Sequence, residues 1–207
     1  AAGLPPGFLL LMPPAVSIRA SPAILQSLIC QGICVKNKTI VPTRQERVMR
    51  DDDFIVSKTD LKGRITYGNQ IFIEFSGYSQ QELLGAQHNI IRHPDMPRGV
   101  FKFLWDTLAQ HQECFAYVKN MSKDGGFYWV FANVTPSYDE QGQVDSYFSV
   151  RRKPSRGAVD AAAGLYQLML EEERRAGPKD ACAASLALLV GLLQQKETDY
   201  ESFIHTL

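Results

Sequence analysis

An α+β fold built on one antiparallel sheet is what the order of elements in this chain predicts. Two strand candidates joined by a tight turn come first, several short amphipathic helices follow, and three strands in meander close the unit. The turns are the firmest sign. Asp60-Leu61-Lys62-Gly63, Lys123-Asp124-Gly125-Gly126 and Asp139-Glu140-Gln141-Gly142 each set Asp and Gly between apolar runs.

Phe54-Ile55-Val56 reads as the first strand, and Arg64-Ile65-Thr66-Tyr67 as its return. Asn69 follows, placed to cap a short helix that carries Ile71, Phe72 and Phe75 on one face and ends at Gly77. Ser79-Gln80-Gln81-Glu82 is a capping box that opens another. The stretch His88-Asn89-Ile90-Ile91-Arg92-His93-Pro94-Asp95-Met96-Pro97 then packs imidazoles, a guanidinium and a carboxylate beside an apolar run. Groups of that kind concentrate where something is bound. Val100, Phe101, Leu104, Trp105 and Leu108 recur at helical spacing, with Pro97 near the first turn. Strands are predicted over Phe115 to Lys119, Phe127 to Ser137 and Val144 to Arg152. Along the second, Phe127, Trp129 and Phe131 point one way, and Tyr128, Val130 and Val134 the other. A sheet apolar on both sides needs cover on both. One face takes the short helices and any ligand; the other meets a flanking helix or another subunit.

The chain has 207 residues, enough for one domain with extensions or two small domains. Lys+Arg and Asp+Glu both number 22, so no whole-protein field favours nucleic acid. An apolar share of 45% and an aromatic share of 10% support a real core. Cys30, Cys34, Cys114 and Cys182 form no CxxC and no metal-like cluster, which fits a reducing compartment. No apolar run reaches the roughly 18 residues of a membrane span; Ala181 to Leu193 comes nearest and sits among charges. A cytoplasmic location is expected. Residues 1–36 begin without Met, and Phe8 to Met12 is cut off by Pro13-Pro14 with no basic segment before it. They are expected to be a disordered or non-native leader, with the true start near Val35. Residues 37–52 read as an N-terminal cap segment, 53–154 as the main domain and 155–207 as a helical extension. In that extension Leu165, Leu168 and Met169 fit one helix, ending near Ala176-Gly177-Pro178. Cys182, Leu186, Leu189, Val190 and Leu193 fit a second, and Tyr200, Phe203, Ile204 and Leu207 a third. Such helices pack on the domain's own sheet, in a dimeric bundle, or against another protein.

Thr59-Asp60-Leu61, Ile65-Thr66, Asn69, Phe75-Ser76-Gly77-Tyr78, Glu82-Leu83, Gly85, His88-Asn89, Arg92-His93-Pro94-Asp95-Met96-Pro97, Trp105, Val118-Lys119-Asn120, Tyr128-Trp129-Val130 and Ala132-Asn133 carry a family likeness. Over roughly residues 50 to 154 the chain resembles the PAS sensory fold, specifically the FAD-binding PAS domain of bacterial aerotaxis receptors. The resemblance implies a five-stranded antiparallel sheet with short helices on one face, here followed by the helical extension. It also implies non-covalently bound FAD, with Arg92, His93, Asp95 and Trp105 lining the pocket. The chemistry agrees. A permanently charged guanidinium at Arg92 suits a diphosphate, and Trp105 can pack against an aromatic ring system. Asn120, Asn133 and the nearby Ser149 offer neutral hydrogen-bond partners for the polar edge of a flavin. Plainer roles stand beside these: Asp95 could cap the following helix, Trp105 lies on a core face in any case, His88 could bond backbone, and Asn69 reads as a cap.

Light-sensing PAS relatives carry a cysteine in the helix before the long central one, and that stretch has none here. Haem-binding PAS domains take an axial histidine from the same region, so His88 or His93 (or His111) keeps haem as the alternative cofactor. A cofactor-free interaction module is the third reading. Neither a nucleophile–base pair nor a metal cluster is evident, so catalysis is not expected. The chain shows no methyl-accepting coiled coil, kinase module or membrane span, which departs from the aerotaxis receptors. Output is therefore expected through a protein partner, of chemotaxis or other signalling type, with a homodimer through the sheet face or the C-terminal helices as a further option.

Overall fold

The computed structural model describes residues 40–207; the leader expected over residues 1–36 lies outside them. The strands are β1 (Ile55–Asp60), β2 (Ile65–Gly68), β3 (Cys114–Met121), β4 (Phe127–Tyr138) and β5 (Val144–Arg152). They form one antiparallel sheet in the order β2-β1-β5-β4-β3. Helices α1 (Gln70–Ser76) and α2 (Gln80–Leu83), a 3-10 turn (His88–Ile91) and α3 (Arg98–Ala109) bridge β2 to β3, and α4 (Arg156–Gln195) and α5 (Tyr200–Thr206) follow β5. The five strands and the helical extension fall where the sequence predicts them. β1 runs on past Val56 to Asp60 because Ser57 and Thr59, although polar, alternate inward and are buried.

Register fixes what each face presents. Ser57 stands opposite Ser149, Ser149 opposite Val134, and Val134 opposite Cys114. The neighbouring inward row is Ile55, Arg151, Ala132 and Ala116. Asn120, Val118, Tyr128 and Val130 share this helix-facing side by the two-residue period. Phe115, Tyr117, Trp129, Phe131 and Asn133 share the opposite side.

Local chemistry places the short helices. Asn69 Oδ1 accepts from Phe72 N (3.1 Å), and α1 stops at Gly77 in the left-handed region, φ 71°. Ser79 and Glu82 form the reciprocal capping box of α2. The core between these helices and the sheet is built from Ile55, Ile65, Phe72, Leu83, Ile91, Val100, Tyr128 and Val130.

The far face of the sheet is covered by the chain itself. Ala158, Ala162, Tyr166 and Met169 of α4 are buried, Tyr166 Oη donates to Tyr117 O (2.7 Å), and its ring stacks on Trp129 at 6.3 Å. From α5, His205 meets Phe115 edge-on at 4.5 Å. This corrects the option of a homodimer through the sheet face, because that apolar surface is already occupied within the chain. Within α4, Gly177 is non-helical (φ 77°, ψ 169°) and Pro178 follows. Ser185 Oγ donates to Glu173 Oε1 at 2.7 Å, whereas twelve residues of straight helix would span about 18 Å. The two halves therefore double back, with the break where the sequence put it. An 18-residue stretch of Arg156–Gln195 has a mean hydropathy of 1.3, so by length and composition alone this helix could cross a membrane, which differs from the expectation that no segment does. The stretch holds no unbroken apolar run of that length, but its polar residues are few enough to leave the average high. Gly177 and Pro178 divide it into two shorter helices.

Candidate functional site

The His88–Pro97 segment runs from the β1–β2 turn to β3, tied at its start and its middle. His88 N donates to Gly63 O (2.9 Å) in the β1–β2 turn, and the backbone of Arg92 bridges to Asn120 on β3. Ile91 and Met96, each 1% exposed, anchor it in the core. Between the anchors Arg92 Nη2 donates to Met96 O (2.9 Å), and its guanidinium lies 4.4 Å from the centre of the Phe101 ring. That orients a permanent positive charge at the first turn of α3.

His93 is 3% exposed. Its Nδ1 accepts from Asp95 N (3.1 Å), so Nε2 carries the proton of the neutral ring, and Nε2 is buried without a partner. Burial, reinforced by the Lys119 ammonium, lowers its pKa to about 4. Asp95 is exposed and pairs with Lys119 Nζ at 2.7 Å. It does not cap α3, which corrects that plainer reading: Pro97 holds the cap position, and Glu173 Oε1 accepts from Arg98 N (2.6 Å) and Gly99 N (3.2 Å). Trp105 is 40% exposed and meets Tyr147 edge-on at 5.5 Å, at one end of the same face of the sheet. Asn120 is buried on that face with Nδ2 unpartnered. Asn133 is a correction. It sits on the other face, one residue out of phase with Ala132, and donates to Glu113 Oε2 (2.8 Å), so it cannot address a ligand held under the helices.

Among the described residues, five buried side-chain polar atoms have no hydrogen-bond partner: Tyr78 Oη, His93 Nε2, Asn120 Nδ2, Tyr128 Oη and Arg151 Nη1. None comes from the far side of the sheet. Asn120, Tyr128 and Arg151 project from its helix-facing side and Tyr78 comes from the α1–α2 link, whereas His93 comes from the motif and packs edge-on against Phe127 of the other face. Asn120 stands opposite Tyr128, and Tyr78 and Arg151 both lie near enough to Tyr128 to influence its ionisation. Burying a polar atom unpaired costs about 1–3 kcal/mol, so four on one side of one sheet, those of Tyr78, Asn120, Tyr128 and Arg151, are the pattern of a binding site for a group with polar edges. The surrounding Phe72, Ile91, Val100 and Val130 suit the apolar faces of a planar ring. These residues fit a flavin.

Haem fits less well. His88 Nε2 accepts from Arg151 Nη2 (2.9 Å) and lies 3.3 Å from Ser57 Oγ, so its lone pair is engaged. The bond from Asp95 N leaves His93 with its proton on Nε2, where an axial ligand would need a lone pair. Among the described residues no three His, Cys, Asp or Glu converge on a metal position.

The sequence does not mark Tyr128, Tyr78 and Arg151 as site residues, although Tyr78 and Tyr128 are among those that carry the family likeness. The available signal was Arg151-Arg152 at the end of an alternating strand, since one of two adjacent strand residues must face inward.

Comparison with known proteins agrees with the geometry. Residues 65–151 match the family described as the PAS fold. The aerotaxis receptor of Escherichia coli is 39% identical over 127 residues, 61% of this chain and 25% of the receptor. The nitrogen fixation regulatory protein of Klebsiella pneumoniae is 33% identical over 97 residues, 47% of this chain and 20% of that protein. The dark structure of the Aureochrome1 LOV photoreceptor aligns at 21% identity with a TM-score of 0.47, over 59% of this chain and 99% of that one. The chain thus spans about a quarter or less of the two curated relatives named. Residues 65–151, which carry most of the five-stranded sheet and the His88–Pro97 motif, thus match the PAS fold.

Proposed function

We propose that this PAS domain is a redox or oxygen sensor that binds FAD non-covalently on the helix side of its sheet and passes the state of the cofactor to a protein partner. The observation that carries the reading is the presence of four unpartnered buried polar atoms, on Tyr78, Asn120, Tyr128 and Arg151, on the helix side of the sheet next to the Arg92-His93-Pro94-Asp95-Met96-Pro97 motif. The 39% identity to a protein named as an aerotaxis receptor supports a sensory role.

When bound, the flavin supplies reversible electron transfer. The chain's own residues bind and orient it. Arg92, which Met96 O and Phe101 hold, would bind the diphosphate. His93 Nε2–H and Asn120 Nδ2 donate to polar edges of the ring, and Trp105 with Tyr147 shields one end from water. Asp95 acts through its Lys119 pair, which steadies the motif against β3. Redox change alters the hydrogen bonding that the ring demands, and two arrangements of the helix side shift in population as far as they differ in affinity for the two states. Output passes to a signalling partner, in the cytoplasm.

Reconstitution of the purified chain with FAD tests this. A flavin absorption spectrum that survives gel filtration, with FAD recovered on denaturation, is expected. Arg92→Ala should weaken FAD binding at least tenfold with little loss of FMN binding, because FMN lacks the diphosphate. A chain that takes up no FAD, or a Soret band in its place, rules the reading out.

A further inference from the structure

Arg151 is 2% exposed and lies on β5, the central strand, facing the helices. Its Nη2 donates to Ser57 Oγ and to His88 Nε2 (2.9 Å), and its Nε to Ser149 Oγ (3.1 Å). The guanidinium lies 5.0 Å from the centre of the Phe72 ring. Every one of these partners is neutral. His88 is held uncharged, its pKa lowered to about 3 by burial and by Arg151 itself. Among the described residues no carboxylate lies within ion-pair distance of Arg151. Its Nη1 has no partner at all, and the Tyr128 hydroxyl close by is unpartnered too.

A buried guanidinium without a counter-charge is costly, since desolvation removes several kcal/mol that hydrogen bonds to neutral groups return only in part. Arg92 is different: it is half-buried and shielded by Phe101. Arg151 is the interior charge that lacks compensation, and its loose Nη1 belongs to the same group of unpartnered atoms as Asn120 and Tyr128.

We infer that Arg151 is a ligand-binding and redox-tuning residue of the site. Its Nη1 donates to the electron-rich pyrimidine edge of the bound flavin, and it holds the reduced, anionic ring more tightly than the oxidised, neutral one. The inference rests on the flavin reading above. The reduction it favours is the gain of two electrons and one proton, taken from the reductant and from water. The proton goes to N5, and the remaining negative charge stays on the N1–C2 edge. Arg151 exchanges no proton in this step; being permanently charged, it only stabilises the product. Its other nitrogens tie β1 through Ser57 and the motif through His88, so a change in its demand at Nη1 reaches both.

The test uses the full chain loaded with FAD and titrated with dithionite. Arg151→Gln is expected to weaken binding of the reduced ring at least tenfold more than that of the oxidised ring. A tenfold ratio lowers the midpoint potential by about 30 mV for a two-electron couple. Arg151→Lys, which keeps the charge, is expected to retain most of the wild-type potential. Equal loss of both redox forms, or an unchanged potential in Arg151→Gln, overturns the inference while leaving FAD binding intact. Absence of FAD from the wild type overturns the flavin reading instead. Should Arg151→Gln fail to fold, the fully reduced wild type decides alone at neutral pH: an anionic reduced-flavin spectrum is expected, and a neutral one overturns the proposal.

Discussion

Single residues in this domain join elements that local sequence leaves separate. Asn69 caps α1, accepts from Val56 N (3.0 Å) and donates to Phe54 O (2.7 Å), so one side chain ties a helix to the first strand. Asn69→Ala should cost about 2 kcal/mol, against the ~1 of a plain cap, while Asn69→Asp keeps the cap and loses only the bond to Phe54. Urea midpoints distinguish the two. The buried histidines make stability depend on pH. An imidazole titrates near 6.5 in the unfolded chain, but His88 is held down to about 3 and His93 to about 4 in the fold. The unfolded state therefore binds protons that the native state does not. The stability that comes from keeping these rings neutral is full above pH 6.5 and declines as pH falls toward 3 or 4. Urea titrations from neutral pH down to about pH 4 should show a falling midpoint, and His88→Gln should flatten the slope; an unchanged slope would contradict the assignment.

At the scale of elements, the contact between α3 and the hairpin of α4 is the notable junction. No side chain of its own caps α3, and the first amides of the helix are received by Glu173 from the extension, which also binds Ser185 Oγ at 2.7 Å. A carboxylate at a helix N-terminus is worth about 0.3–1 kcal/mol, rising to about 2 when partly buried. Gly99 makes the approach possible. A Cβ there would collide with Ser185 Oγ and lie 2.9 Å from Leu186 N. Glu173→Ala should raise amide exchange in the first turn of α3 and in the second half of α4 while leaving β4 and β5 protected. Gly99→Ala should destabilise by about 1–3 kcal/mol through overpacking, and the two effects should be non-additive because they share Ser185. The junction begins directly after the motif, so a rearrangement there has a short path to the C-terminal helices.

For the whole molecule, the decisive arrangement is a sheet with two occupied faces. Removal of residues 155–207 strips α4 and α5 from Tyr117, Trp129 and Phe131, leaving a contiguous apolar face. The truncated chain should self-associate, as sedimentation velocity would reveal, whereas the longer chain keeps that face closed. FAD, if it binds only the folded state, should raise the melting temperature with concentration by mass action.

Much of this was legible in the sequence because it is local. The Asp-Gly turns, the Asn69 and Ser79 caps, the break at Gly177-Pro178 and the two-residue alternation of β4 each depend on neighbours within a few positions. Those signals determined the strands, the meander and the place of the motif before α3. What the sequence left open depends on pairing between distant segments. Alternation showed that Asn133 and Ala132 face opposite ways, but only the packing of the short helices against the Ala132 side puts Asn133 on the face away from the motif. Likewise Arg151 and Arg152 are equivalent until β5 is set between β1 and β4, which turns Arg151 inward beside Ser57 and His88. Asp95 lost its cap to Glu173, which lies 78 positions away in the chain. Local propensity therefore fixed the elements, while burial across long-range contacts decided which polar groups became a site.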